Sequence, residues 1–311
     1  AATRAARLAK ADLVSGMVGE FPDLQGVMGR YYATAQGESA EIADAIAQHY
    51  APQGPSDACP TAAVSIALAL ADKIDTLAGF WSIDERPTGS KDPFALRRAA
   101  LGIIRIVLEN GVRISLREAV AEARAQHGSD DDALDDDLLG FFADRLKAHL
   151  RDEGVRHDRI AAVIGQDTRG DLVDVAARVR ALGAFLDSED GTNLLVAYRR
   201  AANIVRAEEH RDGVAYDGAG YEPGIEGAGD VETALWEVLA RTESGIASAL
   251  ADEAFERAMQ QLAELRQPVD AFFDQVKVNV DDSAVRGNRL RLLARIQGFM
   301  NNVADFSQVE G

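Results

Sequence analysis

Apolar residues recur along most of this chain at three- and four-residue steps, the spacing of one helical face. Residues 4–36 carry that period, broken at Glu20-Phe21-Pro22-Asp23. Pro22 restricts its neighbour, so a second helix can start behind Asp23. Ser39 to Tyr50 repeats it at Ile42, Ile46 and Tyr50, and the turn-rich Pro52-Gln53-Gly54-Pro55-Ser56-Asp57 interrupts it. From Thr61 to Trp81 the chain is apolar nearly all round, which predicts a central buried helix whose charges, Asp72, Lys73 and Asp75, need partners. Over 87–111, Asp92 reads as an N-cap, Pro93 as the first helical position and Gly111 as the C-terminal cap, predicting a helix over 93–109. Arg98, Arg105 and Glu109 share one of its faces; Leu96, Ile103 and Val107 lie on a more apolar side.

Further on, six carboxylates between Asp130 and Asp137 run into the helix LLGFFADRLKAHLRDEG. They suit the positive end of a helix dipole. A calcium loop would need a central Gly and a terminal Glu, which this spacing lacks. Residues 158–210 read as three helices punctuated by Gly165, Gly170 and Gly191, with Tyr198-Arg199-Arg200 as a polar cluster. Asp212 to Asp230 is a Gly-rich connector, and its Gly218-Ala219-Gly220 follows no strand and lacks the spacing of a dinucleotide loop. Helices are predicted over 231–245 and 247–266, then a loop around Pro268, a short extended stretch at 276–280 and a last helix over 282–303. No fixed-period repeat stands out.

Composition sharpens this to an all-α class. The 311 residues are 47% hydrophobic but only 6% aromatic, with 8 Pro, a balance that favours straight-chain helix formers over strand formers. Two or three domains are expected at this length. No apolar run is long enough to span a membrane, and the opening AATRAARLAKADL reads as the middle of an amphipathic helix, as in a piece of a longer protein. A single cysteine, Cys59, leaves no intrachain disulfide and no cysteine-based zinc site, and fits a reducing, cytoplasmic setting. The net charge of −18 opposes indiscriminate binding to nucleic acid, so any RNA contact must be a local basic patch. Composition alone would point to a protein-interaction module.

Several long strings change that reading. Met17-Val-Gly-Glu-Phe-Pro-Asp-Leu-Gln-Gly-Val-Met-Gly-Arg-Tyr-Tyr32, Ala69-Leu-Ala-Asp-Lys-Ile-Asp-Thr-Leu77, Lys91-Asp-Pro-Phe-Ala-Leu-Arg-Arg-Ala-Ala-Leu-Gly102, Phe272-Phe-Asp-Gln-Val276 and Asn288-Arg-Leu-Arg-Leu-Leu293 resemble the β subunit of bacterial heterotetrameric glycyl-tRNA synthetase. Gly154-Val-Arg-His-Asp158, Asp190-Gly-Thr-Asn-Leu-Leu195 and Arg200-Ala-Ala-Asn-Ile204 extend the likeness over almost the whole chain. The resemblance implies the C-terminal part of a tRNA-recognising subunit that acts in an α2β2 assembly with the α subunit and a second β copy. ATP and Mg2+ would be used at the α-subunit site, with no cofactor and no catalytic residue in this chain. Consistent with that, Thr88-Gly89-Ser90-Lys91 lacks the glycine a P-loop needs five residues before Gly89.

Residues 1–112 resemble, more loosely, an HD-type phosphohydrolase domain, with His49 and Asp72 as vestigial metal ligands. The His-Asp pair that names that fold should fall near Arg7-Leu8-Ala9-Lys10 and is absent; a di-metal hydrolase therefore lacks ligands. Residues 113–210 read as a helical body, and 211–311 resemble an anticodon-binding helical domain, with a boundary that could lie nearer 160. Arg286, Asn288, Arg289, Arg291 and Arg295 are the candidate tRNA-binding set there, joined by Arg97, Arg98, Arg199 and Arg200. Arginine can fork onto phosphate or stack under an unpaired base. The alternative is a solvated basic face pairing with Asp281 and Asp282. For the chain as a whole, the alternatives are a degenerate HD-type hydrolase and a helical interaction scaffold.

Overall fold

The computed structural model describes residues 1–167 and 169–310. Among them the architecture is all-α, with a single isolated bridge, Thr88 to Lys91, as the one β-type pairing. The chain divides into two compact units: Ala1–His149 with a short stretch ending at Val173, and Leu150–Asp167 with the chain from Asp174 on.

The first unit holds α1 (Ala2–Leu8), α2 (Gly16–Glu20), α3 (Val27–Ala35), α4 (Ala40–Gln48), α5 (Ala63–Ser82), α6 (Leu96–Asn110), α7 (Leu116–Gln126) and most of α8 (Asp132–Asp152). As its all-round apolar sequence predicts, α5 is the axis: it packs against α1, α4, α6 and α7 and buries Leu68, Ile74, Leu77 and Trp81. Each such side chain contributes roughly 1.5–3 kcal/mol by leaving water. The expected pair of helices over 4–36 is instead a series of short pieces, with 3-10 turns at Ala11–Val14 and Pro22–Leu24. Side-chain caps set these breaks: the Ser15 hydroxyl accepts from Val18 N–H, and the buried Asp12 carboxylate accepts from Gly26 and Gly29 N–H at 2.7 and 2.9 Å. Periodicity carries no trace of such caps.

The helix expected over 93–109 starts later, at Leu96. Ala95 lies in the left-handed region at φ 56°, and Asp92 reaches forward across that turn to accept from Leu96 and Arg97 N–H at 2.8 and 3.1 Å. Asp92 therefore caps the helix from four residues away, and Pro93 precedes it. Its end falls as expected, on Gly111 at φ 62°.

The second unit holds α9 (His157–Ile164), most of α10 (Leu172–Leu186), α11 (Glu189–Asp212), α12 (Asp230–Ala251), α13 (Phe255–Ala263), α14 (Arg266–Gln275) and α15 (Ser283–Asn301). Helices α11, α12, α14 and α15 pack as a bundle whose core includes Leu194, Val205, Leu239, Phe272, Leu290 and Ile296. Four expectations are corrected here. Gly191 lies inside the first turn of α11, where a Cβ would stand 2.0 Å from the Phe185 carbonyl oxygen, so it serves close approach instead of punctuation. The predicted break near 246 is absent, because α12 runs through Gly245 to Ala251. Pro268 sits in the first turn of α14, where its missing N–H leaves no helical bond unmade. Residues 276–280 are coil and bends, with Val276 in extended backbone, and form no strand.

Candidate nucleic-acid interface

The arginines picked from the sequence fall into two physical groups. Those on α15 face inward, against carboxylates supplied by other helices. Arg286 binds Glu208 and Asp212 of α11 and also donates to Tyr216 Oη and Asn279 Oδ1. Hydrogen bonds to Asp212 and Glu208 raise the Arg286 pKa above its ordinary value. In turn, hydrogen bonds from Arg286 and Asn279 lower that of Glu208, and bonds from Tyr216 and Arg286 lower that of Asp212. Arg289 pairs with the buried Glu232 at 2.7 Å and donates to the carbonyls of Lys277 and Gly227. Arg295 pairs with Glu243 of α12 at 2.5 Å and lies over the Trp236 ring. Buried Asn288 accepts from Glu222 N–H and donates to the Glu222 carbonyl, pinning the connector like a strand partner.

These contacts explain why so basic a stretch folds into the middle of an acidic chain. They anchor the Gly-rich connector 213–229 to the bundle. The expected partners Asp281 and Asp282 do not pair with them: Asp282 caps α15 by accepting from Ala284 and Val285 N–H. Arg291 alone of this set has no ion pair among the described residues, and its side chain lies beside Gly220.

Helix α11 presents a different surface. Its exposed positions from Val196 to His210 are Val196, Arg200, Asn203, Arg206, Ala207 and His210, none of them acidic. At 100° per residue these share one side of the helix. The carboxylates of the same segment are turned elsewhere: Glu208 is buried against Arg286, and Glu209 accepts from Tyr216 N–H. Arg200 lies over the ring of Phe273 from α14, 4.3 Å from its centroid, and makes no ion pair or hydrogen bond among the described residues. The same holds for Arg206. Arg199, one position round, donates to the Val309 carbonyl at 2.6 Å. Sequence reading found Arg199 and Arg200 but missed Arg206 and Phe273; the four-residue step from Val196 to Arg200 and the spacing to Asn203 and Arg206 were the available signal.

In the first unit, Arg97 is tied to the Gly89 and Lys91 carbonyls, while its neighbour Arg98 is exposed and without a described partner. The two vestigial metal-ligand candidates do come together, around a cation of the protein's own. Lys10 Nζ lies 2.9 Å from His49 Nε2 and 2.9 Å from Asp72 Oδ1, 4.0 Å from the Tyr50 ring centroid. His49 is fully buried, and burial, then the Lys10 charge, lower its pKa, so the neutral ring can accept from the ammonium. Next to it, Lys73 donates to the carbonyls of His49, Tyr50 and Ala51, and burial pushes its pKa down to about 8. The remaining charge on α5, Asp75, lies 3.0 Å from His127 Nε2. Among the described residues no cluster of three His, Cys, Asp or Glu side chains could hold a metal ion. The acidic run is engaged by protein donors: Arg124 forks between Asp132 and Asp135, and Trp81 Nε1 donates to Asp137 at 2.7 Å. Burial pushes the Cys59 thiol up to about 11, away from nucleophilic chemistry.

An all-helical chain of two units, with an arginine-bearing helical bundle in the second, is the class of protein these features define. Comparison with known proteins gives the family. The model of the glycyl-tRNA synthetase β subunit matches residues 1–165, and that of the DALR anticodon-binding domain matches 194–307. The chain belongs to the glycyl-tRNA synthetase β-subunit family. It is 57% identical to the glycine–tRNA ligase β subunit of Rhodospirillum centenum over 99% of its own length and 43% of that protein. It is 54% identical to those of a Ruegeria species and of Phenylobacterium zucineum, over 100% of this chain and 44% of each relative. The chain thus spans less than half the length of these relatives. Among the described residues no helix is long and apolar enough to cross a membrane.

Proposed function

We propose that this chain is the tRNA-recognising portion of a glycine–tRNA ligase β subunit, acting in the cytoplasm. It holds glycine tRNA so that the acceptor end reaches the active site of the α subunit, where ATP and Mg2+ are used; the chain itself supplies no cofactor and no catalytic side chain. Its partners are the α subunit and, in an α2β2 assembly, a second β copy. The observation that carries this reading is the match to an anticodon-binding domain over 194–307, the segment in which exposed arginines on α11 stand without carboxylate partners. Phosphate contacts would give affinity and unpaired anticodon bases specificity. The second unit carries most of the RNA-binding surface, and the first unit adds Arg97 and Arg98.

The candidate contacts are Arg199, Arg200, Arg291 and, in the first unit, Arg97 and Arg98; Arg286, Asn288, Arg289 and Arg295 act by holding the bundle together. A gel-shift titration of this chain with glycine tRNA, against the same tRNA with its anticodon altered, tests the reading. Weaker binding of the altered tRNA is the expected outcome. Equal binding of both would leave the chain a scaffold within the synthetase.

A further inference from the structure

We infer that the outward side of α11, with Phe273 of α14, is a docking face for an unpaired RNA loop, and that Arg200 and Phe273 together form its base-stacking platform. This inference rests on the tRNA reading above and adds to it a specific surface. Three observations carry it.

The first is charge. In a chain of net charge −18, the exposed positions of α11 from Val196 to His210 carry two arginines and a histidine, and no carboxylate. A polyanion is repelled by most of this molecule and admitted at such a face. The second is the state of the arginines. The guanidiniums of Arg286, Arg289 and Arg295 are each paired to a carboxylate, whereas those of Arg200 and Arg206 have no acceptor among the described residues, leaving five N–H donors on each for a ligand. The third is Phe273. Its ring is half-buried, braced edge-on against the buried Phe272 at 5.7 Å, and carries the Arg200 guanidinium 4.3 Å from its centroid. A planar cation held over an aromatic ring offers π-surface to an unstacked base at low ordering cost, and Arg206, between one and two turns further along α11, lies where a flanking phosphate could be met. Of the two acids on α14, Asp270 is turned toward Arg266 at 3.8 Å, and Asp274, which follows Phe273, is exposed. An acidic or phosphorylated peptide would use the charges but not the ring, so the platform favours RNA.

The test uses the 311-residue chain and a fluorescent anticodon stem-loop RNA of glycine tRNA, titrated by anisotropy across a range of salt, with thermal unfolding to verify that each variant folds. The double variant R200E/R206E is expected to bind at least about tenfold more weakly, with a salt slope shallower by roughly one to two, as expected when two arginines no longer neutralise phosphates of a single strand. Phe273→Leu keeps apolar bulk without the ring and is expected to weaken loop binding several-fold while leaving the salt slope unchanged. Arg257→Glu, on α13, is the control and should bind as the unaltered chain does. RNA binding that neither face variant weakens would overturn this surface and leave the tRNA reading standing. Failure of the unaltered chain to bind at low salt would remove both. If R200E/R206E keeps its RNA affinity but loses association with the catalytic α subunit, the face is a protein contact and the inference is wrong.

Discussion

Two neighbouring helices of one bundle use arginine in opposite ways. On α15, Arg286, Arg289 and Arg295 are neutralised by Glu208, Glu232 and Glu243, carboxylates that come from α11 and α12. On α11, Arg200 and Arg206 face outward with no carboxylate beside them. The residue type is the same, and so is the helical context. What differs is whether the packing of a second helix delivers an acid to the guanidinium. In the first case arginine is a girder, and for Arg286 and Arg289 its removal strands a buried charge; in the second it is a solvated donor whose loss the fold barely registers.

The sharpest way to break that contrast is Arg289→Met. It leaves Glu232, 1% exposed and with one oxygen already unpartnered, without its cation. The expected cost is about 3 kcal/mol in urea or thermal unfolding, within the range for breaking a buried pair. If Glu232→Gln combined with Arg289→Met restores most of that loss, the cost belongs to the stranded charge. A change under about 0.5 kcal/mol for Arg289→Met, the size of an ordinary surface substitution, would place Arg289 with Arg200 instead.

A second prediction extends the comparison to the first unit, where Lys10 is the inward cation. The folded state holds His49 below its ordinary pKa, so the unfolded chain takes up a proton first as pH falls. Stability from this group is present above the unfolded value of about 6.5 and declines as pH drops from there toward the lower folded value. His49→Gln should flatten the pH dependence of the unfolding midpoint over that interval. An unchanged slope would mean that the ring is not the neutral acceptor of the Lys10 ammonium. The smallest effect is expected from Arg200→Ala, which should shift unfolding free energy by no more than about 0.5 kcal/mol even while RNA binding weakens. A larger loss of stability would show that α11's outward arginine is structural after all.

Much of the architecture was legible in the residues. The apolar run of α5 announced a central helix, Gly111 announced the end of α6, and the Gly-rich segment after Asp212 announced a connector. Starts and breaks were harder. The beginning of α6 depends on Asp92 reaching four residues forward, and the breaks in the first helices depend on Asp12 gathering amides from Gly26 and Gly29. Pro268 looked like a breaker because a proline's cost depends on which turn it occupies, and α14 starts just ahead of it.

The candidate site divided along the same line. The strings that mark the family, the all-α class and most of the arginines worth testing came from the sequence alone, because they depend on residue identity and local spacing; Arg206 did not. Which arginines remain available could not come from it. Glu208 lies 78 positions before Arg286, and Glu232 lies 57 before Arg289; only the folding of α11 and α12 against α15 brings each acid to its base. The pairing of Arg200 with Phe273, and of Lys10 with His49 and Asp72, has the same origin. Periodicity tells which side of a helix is apolar, and long-range packing decides what the polar side will meet.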